Sequence, residues 1–186
     1  MSLEFWKNAS PRGRRIIIIV AFFIFAIIVT VVGILVPMSP QQIADENNDL
    51  NKTQQQIQAM DLLHRTAAIF VNNFEICLLM FVPFVGIVIG TIILFNTGSV
   101  LAAEAITLNA GKATGIPPVL VFALLFFFPF TWLEFISYST ALSEGFWFIR
   151  RGLQGESKRE IKNLAKLVLI TAALLAAGAL IEAALI

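Results

Sequence analysis

The sequence predicts an all-α, polytopic membrane protein. It has four to five membrane segments, with a broken or re-entrant region between residues 96 and 149. Composition, run length and charge placement carry that prediction. Of 186 residues, 58% are hydrophobic and 13% charged, against about 45–50% and about 25% in soluble domains. Mean hydropathy is +0.85. The apolar residues stand in runs long enough to cross a bilayer, and the basic residues sit outside those runs. Such a chain is not disordered, not a nucleic-acid module and not an ordinary cytosolic enzyme. Its one cysteine, Cys77, excludes an intrachain disulfide framework and a cysteine-based zinc site.

A bilayer core of about 30 Å takes about 20 apolar helical residues. Ile16–Val36 is an uncharged run of that length, too long for a cleaved signal sequence. Ala67–Phe95 reads as a second span, polar only at Asn72, Asn73 and Glu75 near its start. Leu164–Ile186 reads as the last, interrupted by Lys166 and Glu182. Between them the pattern is harder to divide. Pro117–Phe128 is apolar, but at about 18 Å it is too short to cross. Pro129 interrupts it, and Thr131–Ile149 continues with Glu134, Ser137, Tyr138, Ser143 and Glu144. As one helix, Pro117–Ile149 would reach about 50 Å. It is therefore kinked at Pro129 or divided into a half-helix and a full one.

The whole chain, 1–186, reads as a single membrane domain. Ten of the thirteen basic residues lie in 1–15 and 150–166, while the loop 38–66 holds only Lys52 and Arg65 beside four acids. The positive-inside rule makes 1–15 and 150–166 cytoplasmic segments at the plasma membrane and 38–66 an extracytoplasmic loop. With Phe95 and Arg150 both inside, an even number of crossings must separate them. Either Thr97–Ala110 and Pro117–Ile149 both cross, or the region dips in and returns. Both solutions leave the C-terminus outside. Asn51-Lys52-Thr53 is a glycosylation triplet on the outer loop.

No hydrolase, P-loop or metalloprotease pattern occurs, and the only histidine, His64, lies in the outer loop. The sequence therefore predicts no enzyme, no cofactor and no metal site. Carboxylates are the anomaly. Glu75, Glu104, Glu134, Glu144 and Glu182 lie in or beside apolar segments, with no basic residue nearby in sequence at depth. Buried acids in a membrane are costly and call for partners. Glu75, Glu144 and Glu182 read as interfacial. Glu134 lies midway along its segment, heading a helical face of Ser137, Tyr138, Ala141 and Gly145. Asn72, Asn73 and Asn96 are its candidate partners, completing an intramembrane polar site. Gly86 and Gly90 form a Gly-x-x-x-Gly face and, with Gly145, mark close helix packing. Such faces hold one bundle together, or pair copies of the chain into a homo-oligomer.

Several of these features together resemble the stage II sporulation protein M family of bacterial and archaeal membrane proteins. The resemblance covers 70–152. It rests on Asn72-Asn73, the Gly-rich span through Gly86 and Gly90 to Asn96-Thr97-Gly98, and Pro129 followed five residues later by Glu134 and then by Gly145. The family has His-Gly after that proline, where this chain has Phe130-Thr131. The resemblance implies a multi-pass protein without catalysis of its own, acting with other membrane or envelope proteins, as the family's named member does with two peptidoglycan-degrading proteins during engulfment. The expected function is a scaffold or anchor in a membrane complex, in envelope or membrane remodelling. The alternative is a channel or transporter for ions or a small solute that uses the intramembrane glutamates. The expected partners are the lipid bilayer and other proteins, with no nucleic acid.

Overall fold

The computed structural model describes residues 10–109, 115–155 and 157–186, the last range with side chains from 160 onward. Lys7, Lys112 and the side chains of Lys158 and Arg159 fall outside the described residues. Those residues form seven helices and no strand: α1 (Pro11–Leu35), α2 (Pro40–Gln58), α3 (Leu62–Met80), α4 (Val85–Asn109), α5 (Pro118–Leu125), α6 (Pro129–Gly152) and α7 (Ser157–Leu185).

Short-range chemistry places the helix starts. Proline stands at the first position of α1, α2, α5 and α6, where its missing N–H costs nothing. Ser10 Oγ accepts from the Gly13 amide at 3.1 Å. Ser39 and Gln42 form a reciprocal capping box. Asp61 caps α3 by accepting from the Leu63 and His64 amides. Those bonds, His64's first, hold the exposed Asp61 carboxyl below its ordinary pKa.

Three single helices are long and apolar enough to cross a membrane: Pro11–Leu35, Val85–Asn109 and Glu160–Leu185. The pair α5 and α6 meets the same test jointly, bent by 91° at Pro129. The bend is tied down. Thr131 Oγ1 donates to the Leu125 carbonyl and Trp132 Nε1 to the Phe126 carbonyl, both at 2.8 Å. Side chains of α6 thus reach back to carbonyls at the end of α5, that of Leu125 also accepting from the Phe128 amide at 3.0 Å. Asn109 clasps the other end of α5's connection. Its amide donates to the Ile116 carbonyl at 2.7 Å and accepts from the Ile116 amide at 3.0 Å.

The predicted second span is corrected. Ala67–Phe95 is not one helix: α3 stops at Met80, and the chain reverses over 81–84 before α4 begins. Pro83 cannot continue a helix, and Phe84 adopts φ +62°, a left-handed conformation rare outside glycine. The next turn needs Gly86, because a Cβ there would collide with the Leu79 and Met80 carbonyls. The return therefore comes at 81–84 and not at Phe95. The segment Thr97–Ala110 becomes the second half of α4, through Asn109.

Contacts give the direction of each helix. Arg15 at the start of α1 reaches Glu144 near the end of α6 and Glu160 at the start of α7. Arg65 at the start of α3 donates to the Ala183 carbonyl at the end of α7, and Cys77 neighbours Thr171. Asn47 of α2 donates to the Ala103 carbonyl and to Thr107 late in α4. Helices α1, α4 and α7 thus run one way, and α3 and α6 the other, with the start of α1 at a basic end and the end of α7 at the opposite end. Of these five, α3, with Arg65, Asn72, Asn73 and Glu75, is not among the candidate spans, and α6 is one only together with α5.

Helix α6 is the centre of the bundle. Every residue from Ser137 to Gly145 is buried. The sequence predicts one narrow polar face, with Phe135 and Leu142 turned to lipid or bulky neighbours. In the bundle both are buried in the core, because α1, α3, α4 and α7 surround the helix. Three of its buried hydroxyls are tolerated there because they bond back along their own helix. Ser137, Ser139 and Thr140 donate to the carbonyls four residues earlier at 2.6–2.8 Å.

Candidate functional site

Two polar clusters stand inside this apolar frame. The first joins α3, α6 and α7. Asn73 Nδ2 donates to Glu134 Oε1 at 2.7 Å, and the Glu182 carboxyl comes within hydrogen-bonding reach of Glu134. Tyr138, one turn on, is buried beside them, and Ser137 is wholly buried. Glu134 is not midway along its segment as the sequence suggests. Because α5 turns away, Glu134 lies five residues into α6, toward the end opposite the basic rim.

The other residues grouped with Glu134 are elsewhere. Asn96 is exposed on α4. Asn72 is exposed on α3, donating only to Asn73, at 3.3 Å. Glu75 is also exposed on α3, about two-thirds of the way along the helix. It is five residues short of the reversal at 81–84, between the apolar Phe74 and Ile76.

The second cluster was not legible in the sequence. Arg15 donates from Nη1 to Glu144 at 2.5 Å and from Nη2 to Glu160. Arg151 Nε approaches Glu160 at 3.8 Å. The expectation that Glu144 has no basic partner is therefore wrong: Arg15, 129 positions away, pairs with it. Glu144 is also not a solvated interfacial residue, being 2% exposed. The indole of Trp147 carries Arg15, Arg150 and Arg151 over its ring at 5.5, 5.1 and 5.8 Å. The available signals were weak: Arg15 abuts the first apolar run, and Glu160 is one of two acids in a basic segment.

The packing glycines are placed as follows. A Cβ at Gly90 would press on Leu142 and Met80 side chains, and one at Gly145 would face the carbonyls of 80–82. Separate helices meet backbone to backbone at Gly33 and Gly98, where a Cβ on either would collide with backbone of the other helix, at Phe95 and Thr30. Sequence reading passed over that pair. The signal was there, since Gly86, Gly90, Gly98 and Ala102 continue one buried stripe at fourfold spacing. Among the described residues, no three His, Cys, Asp or Glu side chains gather as metal ligands.

A multi-pass helical bundle with a basic rim and internal carboxyl clusters defines the class: an integral membrane protein. The family model for stage II sporulation protein M matches residues 17–185. The chain belongs to that family, over nearly its whole length and not only the 70–152 of the resemblance. No characterised protein and no solved structure matched it.

Proposed function

We propose that the protein is a non-enzymatic scaffold or anchor within a membrane protein complex, lying in the plasma membrane with its basic end cytoplasmic, and that the outward face of α3 seats a partner's membrane helix. One observation carries this reading. Asn72 and Glu75 face outward from the bundle among exposed Val71, Leu78, Leu79 and Val82. The contacts of Asn73 with Glu134 and of Cys77 with the Ser137 carbonyl fix their depth inside the bundle's height. An ionisable side chain at that depth ordinarily turns inward and finds a partner. Among the described residues Glu75 has no hydrogen bond within the chain, so a second protein is the natural source of one. Small-residue and polar contacts are what join helices where lipid removes the hydrophobic drive. Family membership supports the same setting.

A photo-cross-linking residue at position 75 in native membranes tests it. A discrete adduct with another protein is expected, with none from the same residue at Val20, which is exposed on α1. Capture of lipid alone at position 75 would defeat the reading. An adduct of twice the chain's mass would assign the face to a second copy.

The Asn73–Glu134–Glu182 cluster favours a second reading, a conduit for protons or cations. Two carboxyls brought close together can share a proton, which is the chemistry a conduit would use. Flux in proteoliposomes that vanishes in Glu134→Gln would support it. Absence of flux for protons, alkali and divalent ions would remove it.

A further inference from the structure

Helix α5 has eight residues, a length of about 12 Å, and it meets α6 at 91°. It is too short to cross a bilayer core of about 30 Å, and the bend keeps it from extending α6 along the bundle. The end of α4 and the start of α6, which α5 joins, both stand away from the basic rim. Residues 116–133 include no charged side chain. Phe122 and Phe126 turn inward onto Phe135, with ring centroids 6.0 and 5.4 Å apart. Phe23 of α1 packs on the same Phe135 ring at 6.2 Å and on Trp132 at 5.8 Å. Phe23 is the middle residue of α1, so α5 lies within the apolar height of the bundle and not above it. The other side of α5 is bare: Leu120 and Leu124 are exposed, and Phe127, just past its end, is 82% exposed.

The backbone here is fitted to a dry setting. Helix ends leave N–H and carbonyl groups open, and hydrocarbon has no water to take them. Pro117 and Pro118 remove two N–H groups outright, and the Leu120 and Val121 amides return to the Pro117 carbonyl. At the turn into α6, the amides of Phe126, Phe127 and Phe128 donate to the carbonyls of Ala123, Leu124 and Leu125 at 3.0–3.2 Å. Thr131 and Trp132 side chains reach the Leu125 and Phe126 carbonyls. We propose that α5 and the turn after it form an in-plane lipid anchor, lying flat among the acyl chains of the leaflet away from the basic rim, with Leu120, Leu124 and Phe127 as its lipid contacts. This surface adjoins α1, whose exposed Ile28, Val32 and Leu35 face the same leaflet. The bent pair is then one crossing helix, α6, with α5 laid beside it in the membrane plane. At this flank the chain displaces lipid from one leaflet and not from the other.

The test is spin-label depth on the purified full chain in phosphatidylcholine–phosphatidylglycerol liposomes, in a Cys77→Ala background. Labels go on Leu120→Cys, Leu124→Cys and Phe127→Cys, all exposed positions, so that none enters the core. Ile28→Cys, Val32→Cys and Leu35→Cys on α1 give the ruler, and their progressively shallower depths verify that the bundle is inserted. Depth is read from collisions with oxygen, which concentrates in hydrocarbon, against those with a nickel chelate, which stays in water. Positions 120, 124 and 127 follow one helical face, so an in-plane segment places the three labels within one helical turn of each other, about 5 Å, and all deeper than Leu35. A depth changing steadily by about 10 Å from 120 to 127 would overturn the proposal and make α5 part of a crossing or dipping segment. Collisions mainly with the chelate would put α5 in water, and few collisions with either reagent would give its face to a second copy of the chain. Either result would overturn the lipid assignment.

Discussion

Glu134 shows what one side chain can demand of a fold. Its carboxyl accepts from Asn73 and abuts Glu182, so three helices are pinned at one point. Gln keeps the size of Glu and both kinds of hydrogen-bonding atom, whereas Leu leaves the Asn73 amide without an acceptor. Glu134→Gln should therefore hold its unfolding midpoint in detergent, and Glu134→Leu should lose about 1–3 kcal/mol. Equal stability of the Leu variant would mean that the contact carries no weight. That Glu134 needs a partner was readable from a lone acid in an apolar run. Which asparagine supplies it was not, because Asn72, Asn73 and Asn96 are chemically the same, and only the seating of α3 on α6 selects Asn73.

At the scale of elements, the α1–α4 crossing is the most constrained contact. Gly33 and Gly98 let two backbones meet where no side chain fits, and Ser99 Oγ, itself bonded to the Phe95 carbonyl, reaches the Gly33 carbonyl at 3.5 Å. Gly33→Leu and Gly98→Leu should each cut the folded fraction recovered in size-exclusion chromatography. Ile89→Leu, which keeps volume on the same α4, should cost less than about 1.5 kcal/mol. Glycine variants that match Ile89→Leu would show that the helices can part there freely. The breaks at 81–84 and at Pro129 differ in legibility. Pro129 announced its break by interrupting an apolar run too short to span. Pro83 sits inside a run long enough to continue, and the reversal is enforced by the left-handed Phe84 and the close approach at Gly86.

For the whole molecule, the directions of α1, α3, α4, α6 and α7 put both termini of the bundle at opposite ends. On the proposed orientation, in which the positive-inside rule makes the basic end cytoplasmic, a single cysteine at Gln55 on α2 should react with an impermeant thiol reagent in intact cells. One at Gln154, after α6, should react only after permeabilisation. Both are exposed, and Cys77→Ala supplies a clean background because Cys77 is buried. Labelling of Gln154 from outside would reverse the orientation. The extramembrane helix α2 belongs to the same picture. Half-buried Ile43, Asn47, Leu50 and Ile57 line one face, and Arg65 ties its last turn through the Ile57 and Gln58 carbonyls.

By itself the sequence determined the solvent and the architecture: an all-helical membrane protein with its basic residues gathered in two segments, a break at Pro129 and its family. Each of these follows from local quantities, the length of an apolar run, the missing N–H of a proline, or the count of charges beside a span. Tertiary structure alone decided the burial of α6 from Ser137 to Gly145, the pairing of Arg15 with Glu144 and Glu160, and the outward turn of Glu75. Those depend on which helix lies against which, across separations of 60 to 145 residues. Apolar periodicity carries little information about neighbours when lipid and protein interior are equally apolar, so only backbone approach and polar pairing could select them.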